Sequence, residues 1–310
     1  MKAVQISQYG GSEVLETVEV PSPVVNEGEV VFDVAAFSIN PMDWKIRNGT
    51  MEGKLQLPFR MGIDAAGTVV AIGSGVTDFT VGDEVYGNAM VFAGGSGAFA
   101  EQAMAKATAI ARKPRSLSMA EAAGLGLAGV SAYQGLVEHL NLQKGQKLLI
   151  TGGAGGIGSM AIAIAKSLGA TVAATVRTDQ DAAYATARGA DTVVNVTSQT
   201  LAGANVTNYD AVFDLVGGDA RHDAAKALKK GGLLVSMLGA DDALASELAI
   251  TVIGQGTKED RDHLEKLATW VDDESAKPHI TVFPFEKVRE AFDAAEQGTI
   301  QGKAVVELSK

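Results

Sequence analysis

Cysteine is absent from the 310-residue sequence, and its absence excludes several kinds of chemistry at once. The chain can form no disulfide, has no thiolate nucleophile and cannot bind zinc through sulfur. Proline is also scarce, with 7 residues against 36 glycines, which favours turn-rich α/β or β architecture over Pro-rich linkers. No long apolar segment opens the chain or crosses a membrane. We therefore expect a cytoplasmic protein.

Positive charge is in short supply as well. Lys and Arg number 26 against 37 Asp and Glu, which gives a net charge of −11. This balance argues against nucleic acid or an anionic membrane as a partner. A chain of this length exceeds the size at which one core keeps growing, so we expect two domains.

The sequence pattern changes along the chain. Up to about residue 110, short β-prone segments such as 2–6, 29–39, 67–73 and 83–87 alternate with turn residues, which is typical of an antiparallel sandwich or barrel. Ser118 and Glu121 form a capping box that begins an apolar helix. From Lys147, β-branched strands alternate with helices, which predicts a doubly wound parallel sheet. The expected class is α/β, with one domain at 1–118 and 260–310 and the other at 119–259.

The segment "TGGAGGIGSM", 151–160, follows a strand and begins a helix. Gly153, Gly155 and Gly158 fit G-x-G-x-x-G, in which the glycines allow a tight turn, a close diphosphate and tight helix packing. Free N–H groups at the helix N-terminus would face the diphosphate. The expected cofactor contacts are Gly153, Ala154, Gly155, Gly156, Ile157 and Gly158. An ordinary glycine-rich turn is the alternative.

The end of the next strand indicates which dinucleotide binds. An NAD site requires a carboxylate roughly 20 residues beyond the loop, but Arg177 stands there. Arginine offers planar donors to a 2′-phosphate, and Thr178 could add a hydroxyl. The alternative is Asp179 as an NADH carboxylate, although we expect Asp179 to cap the following helix. We favour NADPH.

This order of patterns resembles the medium-chain dehydrogenase/reductase superfamily, most closely its zinc-free quinone oxidoreductase (zeta-crystallin-like) branch. The matching segments include "SINPMDWKIRNG" (38–49), "PFRMGIDAAGTVVAIGSGVTDFTVGDEVYG" (58–87), "GLAGVSAYQGL" (126–136) and the glycine loop. The resemblance covers nearly the whole chain. It implies a GroES-like barrel, a Rossmann domain and a cofactor cleft between them.

The sequence departs from the zinc-bearing alcohol dehydrogenases of that superfamily. Those relatives place a catalytic Cys in the segment that matches "INPMD" and a Gly-His-Glu where this chain has Gly62, Ile63 and Asp64. We therefore expect no metal and no Lewis acid to polarise an alcohol or ketone. Hydride transfer to a quinone or an α,β-unsaturated carbonyl, which are already electron-poor, is the expected reaction.

The resemblance also implies catalytic residues beside the nicotinamide. These are Asn40 and Asp43 of the "N-x-x-D" stretch, and Lys45. Asn40 or Lys45 could donate to the substrate oxygen, and Lys45 could deliver a proton through water. The structural alternatives are a strand-ending turn for Asn40 and a helix N-cap for Asp43.

Further cofactor contacts are expected where parallel strands end. They are Val216, Leu238 and Gly239. Ser131 matches a position near the nicotinamide, or bonds its own helix backbone instead. Lys303 could reach the adenylate side of the cofactor, or be solvated at the surface.

The resulting hypothesis is an NADPH-dependent, zinc-independent reductase of quinones or enones, and a homodimer by analogy with relatives. One alternative is a 2-alkenal or enoyl reductase of the same superfamily. Another is a non-catalytic NADPH-binding sensor, in which Phe59, Met61 or Met90 would fill the space beside the nicotinamide.

Overall fold

The computed structural model describes residues 1–274 and 276–308, without the side chain of residue 274. The chain divides into unit 1, which is Met1–Leu127 with Glu259–Lys310, and unit 2, which is Ala128–Lys258. The sequence placed the first division after residue 118 instead. Residues 119–127 belong with unit 1 because a Cβ on Gly124 would lie 2.7 Å from Ile280 Cγ2 and 3.3 Å from Val305 Cγ2.

Unit 1 begins with consecutive strands, whereas strands and helices alternate through most of unit 2. The strands and helices in chain order are β1 Lys2–Ile6, β2 Leu15–Glu19, β3 Glu29–Ser38, α1 Pro41–Arg47, β4 Phe59–Arg60, β5 Asp64–Ile72, β6 Glu84–Asn88, β7 Gln102–Lys106, β8 Ile110–Arg112, α2 Met119–Tyr133, β9 Lys147–Ile150, α3 Gly156–Ser167, β10 Thr171–Val176, α4 Asp179–Ala187, β11 Thr192–Asn195, β12 Tyr209–Asp214, α5 Gly218–Lys226, β13 Leu228–Ser236, α6 Asp242–Leu248, β14 Thr251–Gly254, α7 Arg261–Glu274, β15 Ile280–Pro284, α8 Val288–Gln297 and β16 Lys303–Glu307. A π-helical turn, Gln134–His139, extends α2.

Unit 1 is built mainly on antiparallel strands, as predicted, although β15 and β16 pair in parallel. Its described residues form a sheet of order β2-β1-β4 and a larger one of order β15-β16-β3-β5-β6-β8, with β7 also paired to β3. The C-terminal strand β16 pairs antiparallel with β3, so the tail completes the sheet of the first domain. Apolar side chains fill the interior, where the Phe37 and Phe99 rings stack with centroids 4.3 Å apart.

Unit 2 carries the predicted parallel sheet. The strand order is β11-β10-β9-β12-β13-β14, and each neighbouring pair is parallel. The chain runs outward from β9 in one direction and from β12 in the other. In such sheets ligands bind at the carboxyl ends of the strands where the order reverses, which is between β9 and β12 here.

Helix ends follow the local sequence signals. Ser118 precedes α2, and its N–H donates to the Glu121 carboxylate at 2.7 Å while its hydroxyl accepts from the Glu121 N–H at 3.2 Å. The predicted capping box is therefore confirmed. Within the described ranges, no helix is both long enough and apolar enough to span a bilayer.

Candidate active site and cofactor site

The glycine loop joins β9 to α3 in unit 2, and two of its glycines are required by packing. A Cβ on Gly153 would lie 2.7 Å from the Ala174 Cβ, and one on Gly158 would lie 2.2 Å from the Gly152 carbonyl oxygen. At Gly155, by contrast, a Cβ would meet nothing closer than 3.6 Å. The loop is therefore drawn close to its own sheet and helix, as the fingerprint predicts.

The loop leaves several backbone donors without acceptors. Gly155 is the N-cap of α3, and no side chain caps the helix. Among the described residues, no acceptor is present for the N–H groups of Ala154, Gly156, Ile157 and Gly158. Unpaired N–H groups at the positive end of a helix suit a diphosphate. The residues present therefore fit the phosphate groups of a dinucleotide.

Arg177 and Thr178 follow β10, which lies beside β9. The Arg177 side chain is exposed and has no ion pair within the part of the chain that the structure describes. The expectation that Asp179 caps α4 was wrong. Thr178 is the N-cap, because its side chain accepts from the Asp181 N–H at 3.0 Å. Asp179 instead accepts from Asn195 Nδ2 at 2.8 Å. Thr178 still has a hydroxyl hydrogen to donate.

The other predicted cofactor residues of unit 2 lie in two environments. Val216 and Leu238 follow β12 and β13 and are 53% and 46% exposed, although both are apolar. Gly239 follows Leu238 with φ at +96°, a region that favours glycine. Ser131 is fully buried, and its Oγ lies 2.7 Å from Thr257 Oγ1.

Unit 1 contains a buried polar cluster at the end of β3 and the starts of β5 and β16. Asp64 is its centre, and it accepts from Ser38 Oγ at 2.9 Å, Asn40 Nδ2 at 2.9 Å and the Leu127 N–H at 3.1 Å. Lys303 Nζ donates to the Ile39 carbonyl at 2.9 Å and to Asn40 Oδ1. We call Ser38, Asn40, Asp43, Asp64, Glu259 and Lys303 the carboxyl cluster.

Asn40 and Asp43 share the first turn of α1. Asn40 is the N-cap, with Pro41 at the first helical position, where its missing N–H costs nothing. Asp43 is therefore at the third helical position, and the N-cap alternative for Asp43 was wrong. Its Oδ2 accepts from the Asn40 N–H at 2.7 Å. The Asn40 side chain is left to join Asp64 and Lys303.

Glu259 faces this cluster from the start of the C-terminal segment. A Cβ on Gly126 would lie 2.8 Å from Glu259 Oε1 and 3.0 Å from Asp64 Oδ1, so glycine leaves room for two carboxyl groups. Both oxygens of Glu259 are buried and have no hydrogen-bond partner among the described residues. The same is true of Asp43 Oδ1.

Burial shifts the ionisation of this cluster. It raises the pKa of Asp43 to about 8. The charge on Lys303 opposes this increase, and the charge on Asp64 adds to it. Burial and the nearby Asp64 also raise the pKa of Glu259 well above its usual range. The pKa of Lys303 is lowered by burial, against the attraction of the three carboxyl groups. The raised pKa values of Asp43 and Glu259 favour the uncharged forms of these two carboxyl groups beside Lys303.

Two lysines were predicted for the site, and they differ. The surface alternative for Lys303 was wrong, because this residue is 6% exposed. Lys45 is half-buried on α1, and its ammonium has no partner in the described ranges. Asp64 and Glu259 were not predicted as site residues. The difference from the zinc-bearing relatives at Gly62–Asp64 pointed to Asp64, but no sequence signal marks Glu259.

The comparisons with known proteins cover both units. The family described as "Alcohol dehydrogenase GroES-like domain" matches residues 26–115, and the one described as "Zinc-binding dehydrogenase" matches residues 188–306. The NADPH-dependent alkenal/one oxidoreductase of Arabidopsis thaliana is 34% identical over 316 residues, which are 99% of this chain and 79% of that protein. The chain belongs to the medium-chain dehydrogenase/reductase superfamily, in its quinone oxidoreductase branch.

Solved structures of this branch share the fold. The quinone oxidoreductase from Coxiella burnetii has 31% identity and a TM-score of 0.89, with 100% of this chain and 99% of that chain covered. The Escherichia coli quinone oxidoreductase complexed with NADPH has 25% identity and a TM-score of 0.88, with 99% and 100% covered. The α/β class with a GroES-like domain and a Rossmann-like sheet is thereby confirmed.

Two further observations concern a metal site and the non-catalytic sensor. In the described residues, no group of three or more His, Cys, Asp or Glu side chains has the geometry of a metal site. Phe59 and Met61, which a non-catalytic sensor would need beside the nicotinamide, belong to the hydrophobic core of unit 1 at 5% and 0% exposure. Met90 packs less deeply and is half-buried.

Proposed function

We propose that the chain is an NADPH-dependent reductase that transfers hydride to quinones or α,β-unsaturated carbonyls. The observation that carries the proposal is the glycine loop, whose unpaired N–H groups begin α3 in a chain of the quinone oxidoreductase branch. NADPH as the cofactor is supported by the exposed, unpaired Arg177 where an NAD site needs a carboxylate. It is also supported by relatives whose names include NADPH.

Most contacts to the cofactor are assigned to residues of unit 2. The N–H groups of 154–158 hold the diphosphate, and Arg177 with Thr178 holds the 2′-phosphate. Ser131, Val216, Leu238 and Gly239 are proposed to contact the nicotinamide half. When bound, NADPH supplies a hydride and leaves as NADP⁺. Lys303 of unit 1 is proposed as a further contact, on the adenylate side of the cofactor.

The reaction also consumes one proton for each hydride. This proton goes to a quinone oxygen or to the α-carbon of an enone. Asn40, Asp43 and Lys45 are proposed as the catalytic group. Asn40 donates one amide N–H to Asp64, which leaves the second for a substrate oxygen. The Asp43 side chain accepts a hydrogen bond from the Asn40 backbone N–H and so fixes the position of Asn40. Lys45, whose ammonium has no partner among the residues that the structure describes, is proposed to deliver the proton through water.

The test is a turnover assay that follows the loss of the reduced-nicotinamide absorbance. We expect oxidation of NADPH with a benzoquinone and with a 2-alkenal, slower oxidation of NADH, and no reduction of NADP⁺ with a secondary alcohol. Tight binding of NADPH without oxidation by any quinone or enone would favour the sensor instead. Brisk oxidation of the alcohol would overturn the reaction class.

The ratio of kcat/KM for the alkenal and the benzoquinone separates the two reductase candidates. The Arabidopsis relative favours the alkenal, whereas the two bacterial structures favour the quinone. A cytoplasmic homodimer completes the proposal. The dimer is supported by β14, a terminal strand of its sheet that can pair with a second copy. Sedimentation of the purified protein as a monomer would refute it.

A further inference from the structure

Three buried polar side chains meet at the carboxyl ends of adjacent strands in unit 2. Thr151 follows β9, Asp214 ends β12 and Ser236 ends β13, and these strands are consecutive in the sheet. Their exposures are 1%, 0% and 0%. A carboxylate with no exposure is costly unless donors surround it. The donors around Asp214 therefore show what it holds in place.

Both oxygens of Asp214 accept hydrogen bonds. Oδ1 accepts from Thr151 Oγ1 at 2.9 Å, from the Val216 N–H at 3.2 Å and from the Gly217 N–H at 3.0 Å. Oδ2 accepts from Ser236 Oγ at 2.7 Å. One carboxylate thus connects its own loop to the ends of both neighbouring strands.

The two hydroxyl groups extend these connections. Because Thr151 donates to Asp214, its oxygen is free to accept, and it does so from the Leu215 N–H at 2.8 Å. Ser236 similarly accepts from the Leu238 N–H at 3.1 Å. The N–H groups of 215–217 and of 238 all bond to this set of side chains. We call Thr151, Asp214 and Ser236 the Asp214 network.

The loops held by this network present apolar side chains to solvent. A Cβ on Gly152 would lie 3.2 Å from Val216 Cγ2, so Val216 lies against the start of the glycine loop. A Cβ on Gly217 would lie 3.2 Å from Leu238 Cγ, so Leu238 adjoins the same surface. Fixing two exposed apolar residues with a buried polar network favours a role in binding a ligand.

We propose that Asp214 is a positioning residue for the cofactor, which holds the loops after β12 and β13 in the conformation that binds the nicotinamide half of NADPH. The proposal rests on the proposed function for the identity of the ligand. Asp214 has no exposed surface, so it acts through Val216, Gly217 and Leu238. Asparagine at 214 would replace one acceptor oxygen by a donor in either orientation.

The same strand supplies a matched control. Asp210, near the start of β12, accepts from the Lys147 N–H at 2.7 Å and from Lys229 Nζ. It therefore connects the same three strands as Asp214, but near the opposite ends, away from the glycine loop. A role of Asp214 in sheet stability alone would be shared by Asp210, whereas a role in positioning the loops would not.

The experiment compares Asp214→Asn with Asp210→Asn in the full chain. Hydrogen exchange without cofactor should show faster exchange at 215–217 and 238 in Asp214→Asn only. NADPH titrations should give a Kd raised about tenfold or more, the scale of one or two lost hydrogen bonds. KM for NADPH should rise while KM for the quinone stays unchanged. Asp210→Asn should bind NADPH like the parent protein.

Several outcomes would overturn the proposal. One is a lower Tm for Asp214→Asn with unchanged exchange at these amides and an unchanged Kd for NADPH. If Asp214→Asn does not fold, Thr151→Val and Ser236→Ala each remove one hydrogen bond to Asp214. An unchanged Kd for NADPH in both of these variants would also overturn the proposal. Failure of the parent protein to bind NADPH would instead refute the proposed function, and this inference with it.

Discussion

Replacing Asp43 by asparagine tests whether the carboxyl cluster of unit 1 holds protons. Burial raises the pKa of Asp43 from 3.8 to about 8 in the folded chain. The folded state therefore binds this proton more tightly than the unfolded state. Below about pH 4 both states are protonated, so the group has no effect on stability. Between about pH 4 and about pH 8 stability falls as pH rises, and above about pH 8 the full loss remains.

The size of the effect follows from the shift. One pKa unit is worth ~1.4 kcal/mol, so the interval from 3.8 to about 8 sets an upper limit of roughly 6 kcal/mol. Lys303 and Asp64 also act on the Asp43 carboxyl, so the titration belongs to the cluster, and we expect about 2–5 kcal/mol. Asparagine cannot ionise, and its Oδ1 can still accept from the Asn40 N–H. The stability of Asp43→Asn should therefore exceed that of the parent protein least at about pH 5 and most at about pH 9.

The assay is urea unfolding at about pH 5, 7 and 9, followed by tryptophan fluorescence. The 2 tryptophans of the chain, Trp44 and Trp270, both lie in unit 1, so their signal reports on the unit that contains Asp43. Asp262→Asn, which changes an exposed aspartate of unit 1, is the control. A stability difference between Asp43→Asn and the parent protein that is the same at each pH would refute the reasoning.

Three other substitutions test the remaining assignments. Lys303→Met removes the buried cation that attracts the three carboxyl groups of the cluster and should cost about 3–5 kcal/mol of unfolding free energy in urea. Glu259→Gln should stay within about 1 kcal/mol at neutral pH, because the raised pKa keeps Glu259 uncharged; a large loss would show that the charged form is needed. Arg177→Ala should weaken NADPH by about 1.5–3 kcal/mol and leave NADH nearly unchanged in binding titrations. Equal losses for both coenzymes would refute the 2′-phosphate contact.

Local signals in the sequence were sufficient for much of the fold. The glycine loop, the capping box at Ser118 and the alternation of strands each depend on residues close together in the chain. The same locality explains the error at Asp179. Thr178 and Asp179 are both good caps, and which of them begins α4 depends on Asn195, which comes from the next strand and binds Asp179.

The site was harder to predict than the fold because its contacts are long-range. Lys303 was expected to be a cofactor contact or a solvated surface residue, since lysine is rarely buried without a partner. Its partners, Ile39 and Asn40, come from the opposite end of the chain and meet it only because β16 pairs with β3. Glu259 lies in no motif at all, and only the fold brings it to Asp64.

The absence of zinc ligands from the sequence affects how the charge of the carboxyl cluster is compensated. Asn40 and Asp64 lie in the two stretches where the sequence departs from the zinc-bearing relatives, at "INPMD" and Gly62–Asp64. A divalent cation would compensate several buried carboxylates, but Lys303 can compensate only one. The raised pKa values of Asp43 and Glu259 remove the remaining charge through bound protons. The cluster is therefore a hydrogen-bonded support for Asn40 in which protons on Asp43 and Glu259 reduce the buried charge, and a support of this kind suits acceptors that are electron-poor before they bind.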